Sequence, residues 1–187
     1  MLHTSGFTAI LDANVLYPAP LRDYLLSLAA VELYKPKWTG SIQEEWIGNL
    51  LLKRSDLKRQ DLERSRKAMD SAFPDANVTN YKKLISGISL PDVDDRHVVA
   101  AAIEGNAEII VTFNLKDFPL DYLKSLDIEV QHPDDFVRSL IDIDKTSALE
   151  ALNNQVKRLK TPPKSLEDVL QMLEKCGLIN SVASLKD

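Results

Sequence analysis

The sequence predicts an α/β protein whose parallel sheet is wrapped by helices, and three observations lead there. Short apolar runs alternate with helical patterns over the first 144 residues, joined by short links, which is the arrangement of strand–helix–strand units. Two of those runs end on polar groups: Phe7-Thr8-Ala9-Ile10-Leu11 leads into Asp12, and the run Glu108 to Val111 leads into Thr112 and Asn114. The carboxyl ends of parallel strands, and the loops after them, are where such sheets bind ligands. From about Lys145 the strand-like runs stop and only helical pattern continues.

The elements follow in order. Thr8 to Leu11 reads as a short buried strand. Pro18 and Pro20 open a helix running to about Ala30, with Leu21, Tyr24, Leu25 and Leu28 at helical spacing. Lys35 to Gly40 reads as a loop. Ser41 caps a helix to about Leu52, with Glu44 completing a capping box. A further helix, Asp56 to Phe73, takes Ser55 as its cap and is closed by Pro74. Asp75 to Ser89 is loop with one strand-like point near Val78. Arg96 to Glu104 forms a helix that Gly105 stops, and Glu108 to Val111 forms a strand. Leu120 to Ser125 is a helical turn, Ile128 to Val130 a strand, and Pro133 to Ile143 a helix. Ala148 to Leu159 is helical, Thr161-Pro162-Pro163 breaks it, and Ser165 caps a last helix with Glu167 and Asp168 in its first turn. The expected division is a sheet-bearing domain over residues 1–144 and a small helical appendage over residues 145–187.

Composition narrows the function classes. Hydrophobic residues make up 44% of the 187, enough for a packed core. A net charge of −5 leaves no overall basic field, so nucleic-acid binding has to rest on a local patch. One cysteine, Cys176, leaves no internal disulfide and fits a reducing compartment. No apolar run approaches the ~20 residues of a membrane span, and the opening MLHTSG lacks the pattern of a signal peptide. The expectation is a soluble cytoplasmic protein.

Chemistry concentrates in acids at element boundaries: Asp12, Glu45, Asp95 and Asp117. Carboxylates without a cysteine or histidine cluster suit hard divalent ions such as Mg²⁺ or Mn²⁺ and do not suit zinc. Like charges brought together repel until a cation neutralises them, and a cation so held favours in-line displacement at a phosphoryl group. Each acid also has a structural reading. Asp94 or Asp95 can cap the helix at Arg96, Glu44 is explained by its capping box, and Asp117 before Phe118-Pro119 can be a turn residue. Asp12, directly after an apolar strand, has few such duties. His97 reads as a packed or orienting residue, and Thr112 and Asn114 as partners of backbone groups at the strand end, with Asn114 also able to orient an acid. Three scattered histidines and one cysteine indicate no Ser-His-Asp or Cys-His set.

Taken together, ILDANVLYP (Ile10–Pro18), the helix start Ser41 to Trp46 with Glu45, PDVDDRHVVAAAIEG (Pro91–Gly105) and IIVTFNLKDFP (Ile109–Pro119) resemble the PIN-domain family of metal-dependent nucleases, and within it the VapC-like toxin ribonucleases. The stretch Val156 to Lys164 and the helix after it resemble a helical extension found on one subgroup. The resemblance implies a three-layer α/β sandwich with a parallel sheet and Mg²⁺ or Mn²⁺ as cofactor. It further implies endonucleolytic cleavage of RNA, an antitoxin partner and a homodimer. It carries the metal and catalytic roles onto Asp12, Glu45, Asp95 and Asp117, with Asn114 at a polar position beside the last acid. For the third acid, counting back from Val98 selects Asp95 and counting back from Gly105 selects Asp94, with Asp92 behind them. The run Lys53 to Lys67 can track a phosphate backbone or be a solvated, ion-paired helix. Arg96 and Lys116 stand nearer the acids in sequence, and Trp38 and Trp46 are candidates for base stacking or core packing. Two other readings compete. One is a non-catalytic RNA- or protein-binding module, against which the four acids argue because a pure binding surface for RNA gains nothing from clustered negative charge. A haloacid-dehalogenase-like phosphatase wants an acid where Asn14 stands and its paired acids after the strand that ends on Thr112.

Overall fold

The computed structural model describes residues 6–187, so the opening residues 1–5, which fall in the segment read above as lacking a signal peptide, lie outside it. Four strands, β1 (Phe7–Leu11), β2 (Tyr34–Lys37), β3 (Ile109–Val111) and β4 (Glu129–Gln131), form one sheet in the order β2-β1-β3-β4. All three pairings are parallel. The inner strands are apolar because both faces are covered: Ala9, Ile10 and Leu11 of β1 and all of β3 are buried.

Ten helices flank the sheet among the described residues: α1 (Ala13–Leu16), α2 (Ala19–Ala30), α3 (Gly40–Lys53), α4 (Arg59–Ala72), α5 (Arg96–Glu104), α6 (Leu120–Ser125), α7 (Pro133–Ile143), α8 (Lys145–Arg158), α9 (Leu166–Lys175) and α10 (Ile179–Lys186). The chain steps from β1 outward to β2, crosses back over β1, and continues on the other side with β3 and β4. The direction of winding therefore reverses between β1 and β3, and a crevice opens there at their carboxyl ends.

Several local expectations change. Lys35 to Lys37 is not loop but most of β2. Proline and lysines hid it, and an edge strand tolerates both because its outer side needs no ladder bonds. Thr39, not Ser41, caps α3, its side chain accepting from the Ile42 N–H at 3.0 Å. Ser41 instead bonds the Tyr81 hydroxyl at 2.7 Å, and Glu44 pairs with Arg59 at 2.9 Å rather than closing a box. The capping box is real at α9, where Ser165 and Asp168 satisfy each other's N–H groups. Helix α4 begins at Arg59 without a side-chain cap, so Ser55 has no capping role. The point near Val78 is a single parallel bridge, Trp38 to Asn77, followed by a 3-10 turn over Tyr81–Gly87.

Both tryptophans are core residues, each fully buried. Trp38 Nε1 donates to Asp70 at 2.8 Å, and Trp46 Nε1 donates to Gln43 at 2.6 Å with the Arg22 guanidinium 4.4 Å above its ring. Neither is available to stack on a base. The C-terminal helices join the same core. Ala148, Ala151 and Leu152 of α8 are buried and the Tyr24 hydroxyl donates to the Ala148 carbonyl at 3.1 Å. Asp134 of α7 accepts from the backbone and side chains of both Asn180 and Ser181, which holds α10 down.

Candidate functional site

Asp12 stands at the crevice between β1 and β3, and the other predicted acids lie on α3, just before α5 and in the turn after β3. Asp12 stands one residue past β1, where its N–H still pairs with the Val111 carbonyl across the sheet. Its carboxylate turns inward, only 5% exposed. One oxygen accepts from the Ala13 N–H at 2.8 Å and so caps α1. The other accepts from the Thr112 hydroxyl at 2.8 Å and from Asn14 Nδ2 at 3.3 Å. Asn14 also donates to Thr112 Oγ1 at 3.0 Å and accepts the Phe113 N–H at 3.1 Å. Two strand ends are thereby stitched together around one carboxylate. Burial pushes the Asp12 carboxyl above its ordinary range; the bonds from Thr112 and Ala13 offset part of that rise, and Glu45 adds to it.

Asp95 faces the same crevice. It occupies the position before α5, yet its side chain makes no capping bond, so helix capping does not account for it. Its carboxyl is pushed up to about 6, by partial burial first and then by the negative charges of Asp12, Asp92, Asp117 and Glu45. Asp95 is half-buried, whereas Asp94 is exposed. Asp92 caps the 3-10 turn Val93–Asp95 by accepting the Asp94 N–H at 2.9 Å. Glu45 projects from α3 with its carboxylate 3.7 Å from His97 Nε2 on α5, and His97 Nδ1 is buried without a partner. Asp117 ends the 3-10 turn Leu115–Asp117 and is half-buried. Asn114 is exposed, and its N–H donates to Thr112 Oγ1 at 3.1 Å.

The donor set is all oxygen around the buried Asp12, with no thiolate near it, and it fits a hard divalent ion in charge and chemistry. The acids are not drawn together as tightly as a bound ion would hold them: among the described residues, no group of three or more His, Cys, Asp or Glu side chains stands close enough to grip a metal. Asn14 and Thr112 are the residues that reading the sequence missed. From the sequence alone Asn14 reads as part of ILDANVLYP and as a misfit to a phosphatase motif, and Thr112 as a partner of backbone groups. The signal was two polar residues at two strand ends, and only the sheet order reveals that those ends are adjacent. Arg96 is half-buried with its Nε unpartnered, and Lys116 is exposed.

The PIN domain family model matches residues 8–116, from β1 to the residue before Asp117. A second model, the VapC50 C-terminal domain, matches residues 133–187. A Mycobacterium tuberculosis protein named "Putative ribonuclease VapC50" is 40% identical over 93 residues, which is 50% of this chain and 54% of that protein. The chain thus spans about half the length of the curated relative it matches. No solved structure matches. With Asp12 at the switch point of a four-stranded parallel sheet and the family match covering more than half of its length, the chain belongs to the PIN domain family.

Proposed function

We propose that the protein is an endoribonuclease dependent on Mg²⁺ or Mn²⁺ and the toxin of a toxin–antitoxin pair. The observation that carries this reading is the buried Asp12, held by Thr112 and Asn14, facing an Asp95 whose carboxyl is raised by its acidic neighbours. Buried and half-buried carboxylates that repel one another are costly unless a cation joins them. The name of the M. tuberculosis relative supports ribonuclease activity. Asp12, Glu45, Asp95 and Asp117 would hold the ion, with Asn114 beside the last of them.

A divalent cation bound there supplies positive charge for the oxygens of an in-line phosphoryl displacement and lowers the pKa of an attacking water. The chain's own part is positioning. Thr112 and Asn14 fix one Asp12 oxygen and the Ala13 N–H fixes the other. His97 Nε2 lies 3.7 Å from the Glu45 carboxylate. In this reading residues 1–144 form the nuclease unit and residues 145–187 an extension to it. An antitoxin restrains the enzyme, which acts as a homodimer in the cytoplasm. Among the described residues, no helix is long and apolar enough to cross a membrane.

Incubating the partner-free chain with a mixed RNA pool in Mn²⁺, in Mg²⁺ and in EDTA tests the activity. The expected outcome is internal cleavage with either metal and none in EDTA. Cleavage that persists in EDTA contradicts the proposal.

A further inference from the structure

The nuclease reading, on which this inference rests, leaves open where the RNA lies beyond the reacting phosphate. The arginines of the basic helix α4 are engaged with carboxylates. Arg59 pairs with Glu44 and Glu63, Arg64 with Asp61, and Arg66 with Glu44 and Glu63, while Arg54 just before the helix pairs with Asp56. Lys53, Lys58 and Lys67 of the same stretch pair with no carboxylate among the described residues.

A cavity of about 1020 Å³ lies on the other side of Glu45, between the first turn of α3 and the segment 77–83. Glu45 is shared: it lines the cavity and also acts on Asp95 and Asp12. The far wall presents Asn77, Thr79, Asn80 and Lys82, all exposed. Lys82 pairs with no carboxylate among the described residues, and the nearest α3 acid other than Glu45, Glu44, is already neutralised by Arg59 and Arg66.

The wall is held in place. The Val78 N–H donates to the Trp38 carbonyl at 2.8 Å, and the Tyr81 hydroxyl bonds Ser41 across the cavity's edge. Val78 packs so closely on Gly105 that a Cβ there would stand 2.9 Å from it. Asn80 sits at a φ of 64°, a left-handed conformation that asparagine tolerates. None of the large exposed apolar side chains of the described surface lines the cavity. Amides and a hydroxyl, by contrast, offer both donors and acceptors of the kind that read the edges of unpaired bases, and a free lysine suits a phosphate. The volume lies at the upper end of the roughly 300–1000 Å³ usual for clefts that hold small ligands.

We propose that this cavity is a subsite for single-stranded RNA. It receives one nucleotide next to the scissile phosphate; Asn77, Thr79 and Asn80 face the base edge, and Lys82 faces a neighbouring phosphate. It makes base preference on one side of the cut a property of the segment 77–83.

Two readouts test it. A random single-stranded RNA pool carrying 4-thiouridine is photo-crosslinked to the full chain in EDTA, where cleavage is blocked, and the modified peptides are mapped. Crosslinks within 77–83 are expected; crosslinks confined to α4, or absent, overturn the subsite. Lys82→Ala is expected to weaken binding of the same pool about 3–10-fold and to reduce the salt dependence by about one phosphate contact. Asn80→Gly keeps the backbone conformation while removing the amide. In Mn²⁺ it is expected to broaden the base preference beside the cut sites, and an unchanged preference overturns the reading role. If the chain cuts no RNA in Mn²⁺, the nuclease proposal fails by itself, while the crosslinks and the Lys82→Ala salt dependence still decide whether RNA occupies the cavity.

Discussion

Burial and hydrogen bonding pull the Asp12 carboxyl in opposite directions, and burial wins. At Asp95 partial burial and four neighbouring carboxylates act the same way, raising its carboxyl to about 6. The consequence for stability has a definite sign. Between about pH 4 and pH 6 folded Asp95 keeps a proton that the unfolded chain has released, so stability falls as pH rises through that window. Above it, the metal-free protein carries the full cost of the charged cluster. Asp95→Asn is therefore expected to raise the melting temperature in EDTA above about pH 7 and to lose that advantage near pH 4. Thermal melts across pH would show it, and a variant that melts lower at neutral pH would contradict the account. Asp134 behaves oppositely. Burial pushes its carboxyl up, but bonds from Ser181 and Asn180 outweigh burial and hold it below the usual range. Its stabilisation is present at neutral pH and is lost as pH falls through that lowered value.

At the scale of elements, the Asp134 cluster is the fastening between α7 and α10. Asp134→Ala removes a charged acceptor from several buried donors and is expected to cost about 3 kcal/mol in urea unfolding; a change within about 0.5 kcal/mol would show that the fastening is dispensable. Elements whose physics is local were readable in the sequence. Helix α7 has Pro133 at its start and matches its predicted bounds, and α5 ends at Gly105 as its spacing demands. Strand β1 and Asp12 were legible because an apolar run ended abruptly on an acid. Elements set by their neighbours were not. Strand β2 exists because β1 offers an edge, and nothing in Tyr34-Lys35-Pro36-Lys37 shows that from within. The caps of α3 and α4 misled because serine before a helical pattern is only a local preference, and Ser41 is engaged by Tyr81 from elsewhere in the chain. For the site, the acids were legible as residue types. The partnership of Asp12, Asn14 and Thr112 was not, since it depends on β3 lying beside β1.

The whole molecule ties the crevice to its C-terminal helices. Phe113, whose N–H is held by Asn14, packs edge-on to His132 at 5.1 Å between ring centres, and a Cβ on Gly177 would stand 3.5 Å from its ring. Buried residues of α8, α9 and α10 belong to the same apolar cluster as the sheet. Removing residues 145–187 strips that cover from α2 and α7, so the truncated chain is expected to lose a cooperative unfolding transition. A 1–144 fragment that melts cooperatively near the full-length temperature would contradict a shared core.

The central claim is that the switch point between β1 and β3 holds a divalent cation on Asp12 and its neighbouring acids. Calorimetric titration of the metal-free chain with Mn²⁺, beside Asp12→Asn and Thr112→Val, tests it most directly. The account predicts saturable binding to the wild type, loss of it in Asp12→Asn, and affinity lowered about 10–100-fold in Thr112→Val, which keeps the acid but removes the hydroxyl that orients it. Equal binding by all three proteins, or no binding to the wild type, would contradict it.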